Sequence, residues 1–143
     1  MPEARHVLVT GGAGFIGGYL VRELIEAGHR VTVIDDLSTG MKENLAGLPE
    51  QQLQFLLGTV SDRIEEATDG QSIDQIYHLA AAVGVKLIVD APIQCIETNV
   101  HETALILRYA ASVRCPILIA STSEVYGKSS SGRFREEVSV NKR

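Results

Sequence analysis

Short apolar runs and helical patterns take turns along the chain. Five runs rich in β-branched or aliphatic residues, at 6–10, 30–34, 53–57, 75–79 and 116–120, are separated by stretches with helical periodicity. Runs such as "HVLVT", "RVTVI" and "PILIA" are almost continuously apolar, which predicts strands covered on both faces. Alternation of this kind predicts an α/β fold, a doubly wound parallel sheet with crossover helices. Between the first two runs, Phe15, Ile16, Tyr19, Leu20, Leu24 and Ile25 recur at helical spacing, and Gly28 follows as the residue that ends the helix. A longer helix is predicted from about Pro92 to about Val113, with Ile96, Val100, Ala104, Leu107 and Ala111 forming one apolar face.

Length and composition narrow the picture. A chain of 143 residues has room for one domain, here read as residues 1–127, followed by a polar tail, "KSSSGRFREEVSVNKR", at 128–143. The net charge is −5, from 13 basic and 18 acidic residues, and the basic ones are scattered. Such a field repels phosphate backbones, so nucleic acid is not an expected partner. Cys95 and Cys115 have apolar neighbours and no metal-type spacing, which reads as two reduced core thiols of a cytoplasmic protein, with no metal site. The apolar stretch around 79–89 is interrupted by Gly84 and Lys86, and the first residues lack a charged region followed by a long apolar run. Neither a membrane span nor a signal peptide is expected.

Candidate chemistry begins at "VLVTGGAGFIGGYL". Gly12, Gly14 and Gly17 have G-x-G-x-x-G spacing, and Gly11, Gly14 and Gly17 have G-x-x-G-x-x-G spacing, between a predicted strand and a predicted helix. Glycines there permit a tight turn, close approach of a pyrophosphate and close helix–strand packing, while the helix start offers free N–H groups. Asp35, at the end of the second run and 18 residues after Gly17, can accept both hydroxyls of an adenosine ribose and would repel a 2′-phosphate. The pattern predicts a dinucleotide site with NAD preferred over NADP. Asp36 is read either as part of that site or as a solvated loop residue. Ser38 and Thr39 either cap the next short helix or line the adenosine.

On these motifs, together with "HLAA" at 78–81, "ETNVHET" at 97–103 and "STSEVYG" at 121–127, the chain resembles the extended short-chain dehydrogenase/reductase family of NAD-dependent sugar-nucleotide epimerases, dehydratases and decarboxylases. The resemblance covers nearly the whole chain. It implies a Rossmann-type sheet and makes Phe15, Ile16, Leu79, Ala80 and Ala81 cofactor neighbours, with Asn99 near the nicotinamide half. Read from the residues alone, small residues after a strand only permit close packing, and an Asn within a helix bonds local backbone. One departure is visible: where many relatives carry an Asp after the third strand to hold adenine, this chain has Thr59 and Val60.

The resemblance also implies roles beyond the fifth run. Thr122 would bond the sugar hydroxyl being oxidised, Ser123 would support it, and Glu124 would act on the carbon next to a transient keto group, as in dehydratases and decarboxylases. The alternative reading is that Thr122 and Glu124 end a strand and cap a turn. The substrate implied is a UDP- or dTDP-sugar. The family's Tyr-x-x-x-Lys pair is not found: four residues after Tyr19, Tyr77, Tyr109 and Tyr126 stand Glu23, Ala81, Val113 and Ser130. The chain therefore reads as the N-terminal part of such an enzyme, without the later strands and the substrate domain, and inactive by itself. A non-enzymatic NAD-binding module is the competing reading. In the usual order 3-2-1-4-5, the run at 116–120 becomes an apolar sheet edge, which predicts self-association there or cover by the tail.

Overall fold

A computed structural model describes residues 3–82 and 89–126, and the side chains of all of these except Ser123 and Glu124. The expected tail at 128–143 lies outside the described residues. The chain forms β1 (His6–Thr10), α1 (Phe15–Glu26), β2 (Arg30–Asp35), a 3-10 turn (Lys42–Leu45), β3 (Leu53–Leu57), α2 (Val60–Thr68), β4 (Gln75–His78), α3 (Pro92–Val113), β5 (Ile117–Ile119) and a second 3-10 turn (Ser123–Tyr126). The strands make one parallel sheet in the order β3-β2-β1-β4-β5, as expected.

β1 is the centre of the molecule because both of its faces are covered. Alternate residues point to opposite sides, so Val7 and Val9 pack with Val21 and Ile25 of α1, while Leu8 packs with Ile76, Ala67 and Ile106 under α2 and α3. Each Val, Leu or Ile among them taken fully out of water contributes about 1.5–3 kcal/mol. In register, Leu8 lies beside Thr32 of β2 and Ile76 of β4. The two apolar layers thereby fix where the carboxyl ends of the strands emerge.

Local signals set the helix ends. Gly28 takes φ 88°, its N–H bonds Ile25 O at 2.9 Å and the N–H of His29 bonds Leu24 O at 3.0 Å, a Schellman stop that needs the left-handed region. Pro92 opens α3 and Arg114 closes it in the left-handed conformation. Cys95 and Cys115 are both buried and unpaired with each other, as the sequence predicts.

Two expectations change, on α3 and at the strand ends, and one open choice narrows. On α3 the inward residues are Cys95, Ile106 and Ala110, whereas Ile96, Val100 and Leu107 of the expected apolar face point to solvent. Periodicity located a helix and an apolar stripe, but contact with β4 and α2 chose a different side of it. β2 runs one residue further, to Asp35, the strand expected to include Leu79 ends at His78, and the strand expected over 116–120 spans only Ile117–Ile119. Ser38 and Thr39 cap nothing, because the next turn begins after Met41 without a side-chain cap.

Candidate functional site

A cavity of about 580 Å³ opens at the carboxyl ends of the strands, within the size range of small-molecule sites. Its walls come from four places: Gly11 and Gly14 after β1, Asp35 at the end of β2 with Asp36, Ser38 and Thr39 beyond it, Gly58 and Thr59 after β3 with Val60 at the start of α2, and Leu79–Ala82 after β4 together with α3. This is where a doubly wound sheet reverses its direction of winding and leaves a crevice. Another concavity of similar size, about 560 Å³ beside Glu65, Glu66, Thr68 and Asp69, is an open surface depression without such convergence.

The glycine turn is built without room for side chains. Gly11 has φ 72°, and a Cβ there would stand 2.7 Å from the N atom of Ala80. A Cβ on Gly17 would overlap the carbonyl of Gly11. The turn is thus pressed between α1 and the segment after β4. Gly14 is the N-cap of α1, and no side chain caps the helix. The first N–H bonded within this end is that of Gly18, to Gly14 O at 2.8 Å, so the N–H groups of Phe15, Ile16 and Gly17 have no partner within the helix. The side chains of Phe15 and Ile16 are exposed and do not line the cavity.

Asp35 is only 7% exposed and lines the cavity with both carboxylate oxygens held. Oδ2 accepts the Ala13 N–H at 2.9 Å and Oδ1 accepts the Leu37 N–H at 2.9 Å. A carboxylate can accept about four hydrogen bonds, so two lone pairs remain for a ligand. Asp36 is exposed at the rim and accepts the Ser38 N–H at 2.9 Å. The open choice for Ser38 and Thr39 falls to the cavity, which both line.

A buried polar column ties the segment after β4 to this turn. His78, 3% exposed, has Nδ1 at 2.7 Å from Thr10 Oγ1 and Nε2 at 3.2 Å from Thr103 Oγ1. Thr10 Oγ1 in turn accepts the Ala80 N–H at 3.2 Å. Burial holds the His78 pKa below its ordinary value, against a smaller opposing pull from Glu102. Further out, the Asn99 amide pairs with both backbone groups of Ala82, donating to its carbonyl at 3.1 Å and accepting its N–H at 2.7 Å. Asn99 therefore lines the cavity and also fixes the wall opposite the glycines.

The structure brings together Gly11, Gly14, Asp35, Asp36, Ser38, Thr39, Leu79, Ala80, Ala81 and Asn99 in one cavity. Gly17 lies beneath them, against Gly11. Thr122 is exposed after β5 and is not among the lining residues, and its carbonyl accepts the Val125 N–H at 3.2 Å. Ser123 begins the second 3-10 turn, which includes Glu124. Sequence reading missed Gln94, Cys95, Thr98 and Glu102, which reach the cavity from α3. Their signal was present: Cys95, Thr98, Asn99 and Glu102 share one face at spacings of three and four. Among the described residues no cluster of three or more His, Cys, Asp or Glu is placed to hold a metal, and no helix is long and apolar enough to cross a membrane.

A family model described as GDP-mannose 4,6 dehydratase matches residues 8–143. The chain belongs to this family. It thereby falls among the extended short-chain dehydrogenase/reductase proteins, the NAD-dependent sugar-nucleotide epimerases and dehydratases, as an N-terminal portion. The UDP-N-acetyl-alpha-D-glucosaminuronate decarboxylase of Bacillus cytotoxicus is 38% identical over 127 residues, which are 87% of this chain and 38% of that protein. The UDP-N-acetylglucosamine 4-epimerase of Methanobrevibacter ruminantium, solved with UDP-N-acetylmuramic acid, superposes with a TM-score of 0.81 at 29% identity over 94% of this chain and 43% of its own. The UDP-glucose 4-epimerase of Brucella ovis, solved with NAD, gives 0.74 at 30% identity over 87% of this chain and 38% of its own. The chain thus spans less than half the length of these relatives.

Proposed function

We propose that this chain is the NAD-binding portion of an NAD-dependent sugar-nucleotide epimerase, dehydratase or decarboxylase. The observation that carries the reading is the single cavity joining the Gly11–Gly14 turn to Asp35 and to the segment after β4. Its donor set fits a dinucleotide. The uncapped first turn of α1 offers the N–H groups of Phe15, Ile16 and Gly17 to a pyrophosphate, and the positive helix end favours the anion. Asp35 has lone pairs left for ribose hydroxyls, and its charge disfavours a 2′-phosphate. Leu79, Ala80 and Ala81 present small or apolar surface to the rest of the cofactor, and Asn99 holds that wall in place. When bound, NAD supplies a hydride acceptor for oxidation at C4 of the sugar.

Thr122, Ser123 and Glu124 follow β5 and are the candidates for contact with a UDP- or dTDP-sugar. In this reading Thr122 bonds the reacting hydroxyl, Ser123 supports it, and the Glu124 carboxylate exchanges a proton with the neighbouring carbon. No Tyr-x-x-x-Lys occurs in the 143 residues, so the chain by itself is not expected to convert such a sugar. Self-association through residues 116–120 belongs to the same proposal, since Leu118 and Ile119 are exposed on the edge strand.

The test is calorimetric titration of the 143-residue chain with NAD and with NADP. NAD is expected to bind at least about tenfold more tightly, the scale of one charge-assisted contact. Asp35→Asn should narrow that gap from both sides. Absence of NAD binding, or a preference for NADP, would overturn the reading.

A further inference from the structure

The part of the cavity beside β3 lacks the group that the family resemblance places there. Along the carboxyl edge of the sheet, the order β3-β2-β1 puts the glycine turn at β1, Asp35 at β2 and Gly58–Val60 at β3. With pyrophosphate at the first and ribose at the second, the adenine of a dinucleotide reaches the third. There Thr59 replaces the expected Asp, and its hydroxyl is already engaged. Thr59 Oγ1 accepts the Asp62 N–H at 3.2 Å, donates to Asp62 Oδ2 at 2.8 Å and lies 2.9 Å from Ser61 Oγ. It is the N-cap of α2, in a reciprocal box with Asp62. Asp62 is committed in turn, its Oδ2 also accepting the Thr59 N–H at 3.1 Å.

A carboxylate nevertheless stands at this end of the cavity, delivered from another element. Glu102 of α3 is half-buried, lines the cavity with Thr59 and Val60, and is held by Ser61. Its Oε2 accepts the Ser61 N–H at 2.9 Å and its Oε1 accepts the Ser61 hydroxyl at 2.7 Å. Both bonds fix the carboxylate and leave one lone pair on each oxygen. An exocyclic amine is a donor that needs such an acceptor, whereas Thr98 and Gln94 on the same wall carry no charge.

We propose that Glu102 is the acceptor for the exocyclic amine of the cofactor's adenine, so that base recognition comes from α3 and not from the loop after β3. Ser61 acts as a positioning residue that aims the carboxylate. The inference rests on the NAD reading above and names a specificity-determining residue within it.

The test compares NAD with nicotinamide hypoxanthine dinucleotide, in which the adenine amine is replaced by a carbonyl oxygen. Calorimetry on the wild-type chain is expected to show NAD bound about tenfold or more tightly, because a carboxylate facing a carbonyl repels it. In Glu102→Gln the amide can present N–H to the carbonyl, and the ratio should fall to within about threefold. Discrimination between NAD and NADP, which belongs to Asp35, should not move, and thermal melting of the ligand-free variant reads any purely structural role of the Ser61 contact. If NAD binds but is not distinguished from the hypoxanthine analogue, or if the distinction survives Glu102→Gln, the inference is overturned while the NAD reading stands. If neither dinucleotide binds, both fall.

Discussion

The two flanks of the sheet are built from equally apolar sequence and end in opposite states. On the β1–β2 side, Val7, Val9, Val21, Val31 and Val33 are at most 1% exposed, closed over by α1. On the β4–β5 side, Leu118 is 50% exposed, Ile119 42%, and Ile96 and Val100 of α3 about two-thirds. Hydrophobicity is the same kind of signal in both places, but burial depends on whether another element of the chain lies opposite. The strands of the first flank are covered, although Phe15, Ile16 and Tyr19 at the start of α1 are exposed, and the second flank presents apolar surface on the edge strand itself, where a further chain segment or a second molecule would gain by packing.

The comparison can be broken by placing one substitution on each flank. Ile25→Ala removes a buried side chain of α1 that closes over Val7 and Val9 and should cost about 3 kcal/mol in urea unfolding, the usual scale for a core cavity. A cost under about 1 kcal/mol would mean that the covered flank is not the stabilising one.

A smaller effect is expected from pH. Burial lowers the pKa of His78, and burial together with Arg30 lowers that of His6, against opposing contributions from Glu102 at His78 and from Ser72 and Asp74 at His6. A lowered folded-state value means that the unfolded chain takes up the proton first. Stability is therefore fully present above about pH 6.5 and is lost as pH falls through that value toward the lowered ones. Melting temperature measured between pH 7.5 and 5.5, as roughly the window in question, should decline, and His78→Asn should flatten the decline. An unchanged slope in that variant would assign the effect elsewhere.

The smallest effect on folding is expected at the open flank. Leu118→Ala should change stability by less than about 1 kcal/mol, because half of the side chain is already in water. Leu118→Lys should be equally mild for folding yet shift sedimentation toward monomer, since charge on an edge strand opposes pairing. A wild-type chain that sediments as monomer at all concentrations would show that the exposed edge does not pair.

Much of the site was legible because its signals are local. Gly11 and Gly17 occupy places where a Cβ would collide with backbone, and Gly28 takes a positive φ that disfavours other residues, and such demands leave fixed spacings in the sequence. Asp35 was legible because it ends a strand one βαβ unit after the glycines. The α3 wall was not, since choosing between the face of Ile96 and Val100 and the face of Cys95, Asn99 and Glu102 requires knowing which side meets β4 and α2.

The sequence by itself determined the order of elements, the parallel sheet, the dinucleotide turn and the family, because periodicity, turn residues and motif spacing are properties of neighbours along the chain. Only the tertiary structure decided that Ser38 and Thr39 face the cavity and cap nothing, that Asn99 clamps Ala82, and that Glu102 stands at Ser61 beside Thr59. Those facts join residues from different elements. No spacing encodes them, since they follow from how two helices settle on one sheet to bury Leu8, Ile76 and Ile106.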